Sequence, residues 1–422
     1  MNLVRATSIT VVTKLLATAT AALAAVVVAG ALGATGAGTF ALVRVLPGTI
    51  AAVLGAGMTI ANPYLIGSRR YSVQAITETT VALGLGLGVL GCAGWWAAGN
   101  LLHAHFYSTL SARDALLVGL AIPMNLLRDY LNSVQQGLRS FKAANLVLLT
   151  DDVVSLALLL PLLAGIGDMT LVVAAAVAGP VASVLLAAAM LLRRGIRPWP
   201  RLHPALARDA MRFGIKGHVG RMANMLNWRL DVMILATLAS VEVVGCYSVA
   251  SKVAELFRPL SASLTFVLRP LIAGLSTAEA RVRGVFLYRR VFLINLAAIL
   301  VLAVVGERLI HAFFGAEFAP AVPALYILLV GLAAHGADGV LSGYNVGIGR
   351  PELNTYTALA GLVVTVAGDL TLIPAYGLVG AAVASSAAYT VKAIAFTAIF
   401  LATSDVSLPQ LVGWKAYGPD LA

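Results

Sequence analysis

Residues 38–45 read "GTFALVRV" and residues 245–252 read "GCYSVASK", and each octet lies in an apolar run that carries a basic residue where hydrocarbon is expected. Pro63 and Pro270 each follow the opening glycine by 25 residues, so the two segments correspond at an offset of 207. Further on, "QGLRSFKAAN" pairs with "VGIGRPELN", which aligns Gly137 with Gly347 and Asn145 with Asn354, and Pro161 pairs with Pro374. The offset drifts only to 213 along this series. Matches in a common order are hard to produce by chance, and they mark an internal repeat.

The composition says what is repeated. Of 422 residues 60% are hydrophobic and 11% charged, with a mean hydropathy of +0.92, whereas a soluble domain carries about 25% charged residues. Crossing the hydrocarbon takes about 20 apolar residues per helix. Hydropathy and turn signals predict helices near 12–32, 39–66, 74–100, 113–136, 145–165 and 170–192, then 213–238, 245–273, 286–311, 321–346, 355–374 and 378–401. The expected fold is an all-α polytopic membrane protein of about twelve transmembrane helices. Equivalent positions are six helices apart, an even number, so two pseudo-symmetric six-helix lobes share one orientation, a transporter architecture with substrate held at the repeat interface. The expected limits are a first lobe over 1–195, an Arg/Pro-rich cytoplasmic linker over 196–212, a second lobe over 213–403 and a short cytoplasmic tail over 404–422.

The net charge of +11 fits orientation rather than nucleic-acid binding. With both termini cytoplasmic and an uncleaved first helix, eighteen Lys and Arg fall on the inner side and only Arg113 and Arg308 on the outer, as the positive-inside rule requires. Six of the inner arginines lie between Arg193 and Arg212. Cys92 and Cys246 sit in apolar surroundings and read as packing residues, not a disulfide.

Several motifs mislead. "GLGVLG", residues 86–91, matches a dinucleotide fingerprint but sits inside an apolar helix with no preceding strand. Gly84 and Gly88 instead suit close helix packing. His103 and His105 are two ligands without a third, so no metal site is expected. No catalytic constellation or cofactor motif stands out, the longest loop has about 20 residues, and an enzyme is not expected.

The remaining puzzle is charge inside the membrane, where one ionised group costs about 2.5–3.5 kcal/mol on insertion scales. In the eighth helix Glu255 is three residues from both Lys252 and Arg258, and Pro259 and Pro270 should disturb the helix and free carbonyls. Arg44 lies near the repeat equivalent of Lys252, so each lobe presents a cation at comparable depth. The seventh helix adds Arg221, Asn224, Asn227, Arg229 and Asp231, and Lys392 lies in the last helix. Asp338 and Asp369 are candidates for carrying a coupling ion, as are Asp231 and Glu255. Structural ion pairs and side chains reaching for the interface are the competing explanation, favoured for Arg269, Lys216 and Arg128.

Five segments together resemble the polysaccharide transporter family, which contains the O-antigen flippases and belongs to the multidrug/oligosaccharidyl-lipid/polysaccharide exporter superfamily. They are "LGATGAGTFALV" from Leu32, "VVGCYSVASKVAELFRPL" from Val243, "FGAEFAPAVPALYIL" from Phe314, "GIGRPELN" from Gly347 and "LIPAYGLVGAAVAS" from Leu372. The resemblance implies two six-helix lobes in a V around a central cavity, alternating access and passage of an undecaprenyl-diphosphate-linked oligosaccharide across a bacterial cytoplasmic membrane, with H+ or Na+ as coupling ion and glycan-assembly proteins and membrane lipids as partners. It places Arg44, Lys252 and Arg258, and secondarily Arg221 and Arg229, as cations for the anionic lipid diphosphate. Stopping after twelve helices sets the chain apart from fourteen-helix peptidoglycan lipid flippases. A multidrug cation exporter of the same superfamily, or a scaffold recruiting glycosyltransferases through the linker, are the alternatives.

Overall fold

A computed structural model describes residues 3–256, 277–348, 350 and 352–413. Among these residues there is no strand. In chain order the helices are α1 (Leu3–Leu54), α2 (Met58–Ser68), α3 (Val73–Ala97), α4 (Gly99–Phe106), α5 (Ala112–Val118), α6 (Ala121–Gly137), α7 (Phe141–Leu159), α8 (Met169–Leu192), α9 (Pro204–Leu226), α10 (Leu230–Leu238), α11 (Val241–Ala254), α12 (Thr277–Phe314), α13 (Ala321–His335), α14 (Asp338–Gly347), α15 (Glu352–Ser404) and α16 (Leu408–Val412). Seven described helical stretches are long and apolar enough to cross a membrane.

Two of these stretches each correspond to a pair of expected helices. α1 bends at Gly33 (φ 64°) and α15 at Gly377 (φ 55°). Left-handed backbone of this kind suits a residue without a Cβ, which is why the expected helix ends near residues 32 and 374 fall beside these glycines. The matched prolines behave alike: Pro161 stands four residues before left-handed Gly165, and Pro374 three before Gly377.

Contacts divide the chain into two compact units, Met1–Met225 with Ala239–Ser248, and Leu226–Leu238 with Val249–Ala422. In the first, α1 and α11 cross reciprocally at the glycines of the repeat. A Cβ on Gly38 would overlap the Val241 carbonyl oxygen and stand 3.0 Å from the Gly245 nitrogen. A Cβ on Gly245 would overlap the Ala34 carbonyl oxygen and stand 3.0 Å from the Gly38 nitrogen. Thr35 donates to Glu242 Oε1 over 3.0 Å, again across 207 residues. Positions equivalent in the repeat thus meet each other, as a local two-fold relation between these segments requires. Gly84 and Gly88 pack on Leu127 and Pro123 of α6, so the glycines near the false fingerprint serve helix packing. Cys92 and Cys246 are both buried and free.

The expected seventh helix differs at both ends. It begins at Pro204, well before residue 213, because "PALARDAM" is polar yet helix-forming and proline suits a first helical position. Its start is tied down within the first unit. Asp209 accepts from Tyr71 Oη at 2.7 Å and from Arg70 at 3.0 Å, and Phe213 stacks on Tyr64 with ring centroids 3.9 Å apart. The preceding residues are strapped to α3, with His203 Nε2 2.8 Å from Glu78 and Gln74 bonded to the Arg197 backbone. Further along, the helix breaks at Asn227–Arg229 before α10 begins.

Candidate functional site

The break brings polar groups of α10 against α15 in the second unit. Residues 358, 361, 365 and 369 are spaced by three or four, which puts them on one stripe of α15 before its bend. Asn227 donates to the Ala358 carbonyl at 2.9 Å and accepts from Thr365 Oγ1 at 3.0 Å. One turn on, Asp231 accepts from Ser385 Oγ at 3.1 Å and from the Val232 amide at 2.7 Å. Lys392, 2% exposed, runs its stem past Gly361, where a Cβ would stand 2.6 Å from Lys392 Cδ and 3.3 Å from Asn227 Nδ2. Glycine at 361 is therefore a condition for this seam to close.

Asp369 completes the seam and differs from every group around it. Its side chain is fully buried, and neither carboxylate oxygen has a hydrogen-bond partner. Its neighbouring acid, Asp231, lies close enough for like-charge repulsion. Two buried carboxylates in one seam need compensation to stay ionised, which a proton, a bound cation or the ammonium of buried Lys392 can each supply. The side-chain oxygens of Asp231, Asp369, Thr365 and Ser385 are hard donors by type, the class that alkali and alkaline-earth ions prefer. Among the described residues no group of three His, Cys, Asp or Glu is disposed to hold a metal.

Asp338, the other expected ion carrier in these helices, stands apart. His335 Nδ1 lies 2.6 Å from its Oδ2, and the His335 ring packs on Tyr389 and Trp228 with centroids 5.5 and 5.4 Å away. A carboxylate satisfied within its own turn is a local lock between α13 and α14 rather than an open ligand.

In the first unit, five charged groups form an alternating chain. Arg44 of α1 donates to Asp152 of α7 at 2.9 Å and lies 3.9 Å from Asp151. Asp151 also accepts from Arg128 of α6, whose Nε and Nη2 reach Asp129 at 3.1 and 3.0 Å. Ser155 donates to the Ala175 carbonyl at 3.0 Å, and a Cβ on Gly179 of α8 would collide with both Ser155 and Asp151. The order is Asp152, Arg44, Asp151, Arg128, Asp129: three carboxylates about two guanidiniums. Arg44, expected as an unpaired cation, is thereby corrected to a paired one, because α7 brings two acids to it from 108 residues away in sequence.

The other expected cations are dispersed. Arg221 is exposed and donates to Thr59 Oγ1 at 2.7 Å, which leaves its charge uncompensated by that contact. Arg229 is exposed at the break, whereas Asp231 is buried. Lys252 and Glu255 are half-buried at the end of α11. Arg258, Arg269, Pro259 and Pro270 lie outside the described residues. Sequence reasoning missed Asp151, Asp152, Thr365 and Ser385. The adjacent acids in the middle of the apolar run 145–165 were the available signal, since two charges there need a partner.

The sequence model of a family described as "Polysaccharide biosynthesis protein" matches residues 3–276. The chain is 33% identical over 136 residues to the lipopolysaccharide biosynthesis protein WzxC of Escherichia coli, an alignment covering 31% of this chain and 28% of that protein. It is 25% identical over 193 residues to an uncharacterized membrane protein of Methanocaldococcus jannaschii, covering 44% of this chain and 37% of that protein. These alignments therefore span well under half the length of either relative. Among solved structures, an inward-facing multidrug resistance MATE family transporter of the MOP superfamily superposes with a TM-score of 0.75 at 17% identity, covering 93% of this chain and 94% of that one. The lipid II flippase MurJ, in an inward closed conformation, gives a TM-score of 0.75 at 13% identity, covering 95% and 88%. A MOP superfamily transporter from Pyrococcus furiosus gives 0.68 at 16%, covering 95% of each chain. At such identities the likeness is one of fold.

Proposed function

This chain belongs to the polysaccharide biosynthesis protein family, and on that premise we propose that it flips an undecaprenyl-diphosphate-linked oligosaccharide across the cytoplasmic membrane by alternating access, coupled to H+ or Na+ at Asp231 and Asp369. The observation that carries the reading is Asp369, a fully buried carboxylate without a hydrogen-bond partner beside a second acid. A side chain so placed weakens the fold unless something binds it. A coupling cation supplies that partner in one state of the cycle and leaves in another. The differential affinity for the ion between states is what converts a gradient into net transport.

The anionic end of the substrate calls for guanidinium groups in a region of low dielectric, where attraction greatly exceeds its value in water. Arg44 is the described cation best placed for this in the first unit, partly exposed at 29% and anchored on one side by α7. The family match supports an oligosaccharide lipid over a multidrug cation as cargo, although multidrug transporters share the fold. The test is a proteoliposome assay in which an undecaprenyl-diphosphate-linked oligosaccharide becomes accessible to external lectin. Wild type should expose it in the presence of a cation gradient. Arg44→Ala should abolish exposure, and Asp369→Asn should reduce it to the rate of ungated leak. Exposure at the wild-type rate in both variants rejects the reading.

A further inference from the structure

The Arg/Pro-rich segment between α8 and α9 is not a slack tether. Gln74 of α3 grips the Arg197 backbone twice, donating to its carbonyl at 2.8 Å and accepting from its amide at 2.9 Å. At the far end, the His203 amide donates to Thr79 Oγ1 at 3.3 Å and the His203 ring lies 2.8 Å from Glu78. At the near end, Arg194 donates to Ser140 Oγ at 2.7 Å, which ties the exit of α8 to the turn before α7. Residues 194–203 therefore form a strap across one end of the first unit, and the backbone holds in place whatever they present.

What they present is positive and apolar together. Arg193, Arg194, Arg197 and Arg201, with Arg208 and Arg212 in the first turns of α9, are all exposed. Among the described residues none of the six is in an ion pair. The single acid of this stretch, Asp209, is taken by Arg70 and Tyr71, and Glu78, close enough to feel the charge of Arg201, is taken by His203. Between Arg197 and Arg201, Trp199 stands 64% exposed with a proline on either side to narrow its backbone freedom, and Leu202 is 51% exposed. The same pairing continues on α9, where Arg208, Arg212 and Lys216 recur every four residues beside exposed Met211, Ile215 and Val219 at the same spacing.

We propose that the strap and the first turns of α9 bind the headgroups of anionic phospholipids, with the arginines on lipid phosphates and Trp199 and Leu202 seated where headgroups meet acyl chains. The proposal is independent of the cargo. Position favours a lipid over a water-borne acidic partner. The strap joins the ends of α3 and α8, both apolar and long enough to cross a membrane, so it lies at the level where they leave the hydrocarbon. Tryptophan concentrates at that level, and basic residues beside an anionic leaflet are attracted to it. Water would solvate the arginines but leave the indole without a partner, whereas a lipid surface satisfies both.

The experiment places the full chain in phosphatidylcholine nanodiscs doped at low mole fraction with either brominated phosphatidylglycerol or brominated phosphatidylcholine. It reads bromine quenching of the Trp199 signal, taken as wild type minus Trp199→Phe. The brominated phosphatidylglycerol should quench about fivefold more per lipid, the preference that one basic residue near an anionic surface confers, and added salt should shrink the difference. Arg197→Gln combined with Arg201→Gln should lose the preference while quenching by brominated phosphatidylcholine stays at the wild-type level, because Trp199 keeps its depth. Arg197→Lys combined with Arg201→Lys should retain the preference, and so should Arg113→Gln, an exposed arginine at the start of α5, beyond the other end of α3. Equal quenching by the two lipids in wild type, or an undiminished preference in the glutamine pair, overturns the proposal. Quenching by neither lipid, with Trp199 open to aqueous acrylamide, also overturns it and leaves the basic face to a water-borne acidic partner.

Discussion

The two charged regions of this protein solve opposite problems. In the first unit, acids and arginines alternate from Asp152 to Asp129 and each guanidinium is shared between carboxylates. In the second, Asp369 is buried with no hydrogen-bond partner for either oxygen and a second acid nearby. The first set is held together by its own charges, whereas Asp369 has no hydrogen-bond partner to offset its burial. The same residue type, aspartate in apolar helices, is therefore paired with arginine in one place and left without a hydrogen-bond partner in the other.

That contrast is breakable by deleting a charge from each region. Arg128→Ala removes the cation that Asp151 and Asp129 share, and breaking a buried pair in this way should cost about 3–5 kcal/mol, seen as lost yield of monodisperse protein and a lowered thermal midpoint in detergent. Asp369→Leu should do the reverse. Removing a buried group without a partner should raise stability by about 1–3 kcal/mol in cation-free buffer, while coupled transport is lost. If both substitutions destabilise equally, the distinction between the regions is wrong.

The reciprocal crossing of α1 and α11 supplies a sterically defined test. Gly245→Val drives a side chain into the Ala34 carbonyl, and overpacking of this kind should cost about 1–3 kcal/mol. Gly48→Ala, where nothing lies within 4 Å of the added carbon, should be close to neutral by the same melting assay. The smallest effect is expected at the start of α8. Asp168 caps it by accepting from the Thr170 amide at 2.8 Å, and that bond lowers its pKa below the usual aspartate value. Because the folded value is the lower one, the contribution is present above the ordinary aspartate pKa and fades as pH falls through the folded value. Asp168→Ala should speed amide exchange at Thr170 and Leu171 at neutral pH, and acid should erase the difference from wild type.

Much of this was readable in the chain before any coordinates. Gly38 and Gly245 announced the repeat, and they turned out to touch, because an offset shared by small residues marks where equivalent helices meet. Asp231 and Asp369 were both visible as acids in apolar helices. What one dimension could not give was their company. The break at Asn227–Arg229 turns Asp231 toward α15, and no periodicity reports a break that is held by a bond to a carbonyl 131 residues away. Arg44 was visible as a cation, but its partner comes from α7, and pairing across 108 residues is a tertiary fact. The early start of α9 escaped for a simpler reason. Hydropathy finds spans, and "PALARDAM" is a helix without being apolar.

The central claim is that the orphaned acid couples a cation to movement of the lipid. Its most direct test is the direction of flux in proteoliposomes carrying an undecaprenyl-diphosphate-linked oligosaccharide, as H+ and Na+ gradients are imposed one at a time and then reversed. Wild type should move the lipid against its own distribution under one of the two gradients and reverse direction when that gradient is reversed, while Asp369→Asn should only equilibrate it. Wild-type flux indifferent to both gradients, or gradient-driven flux in Asp369→Asn, would contradict the account.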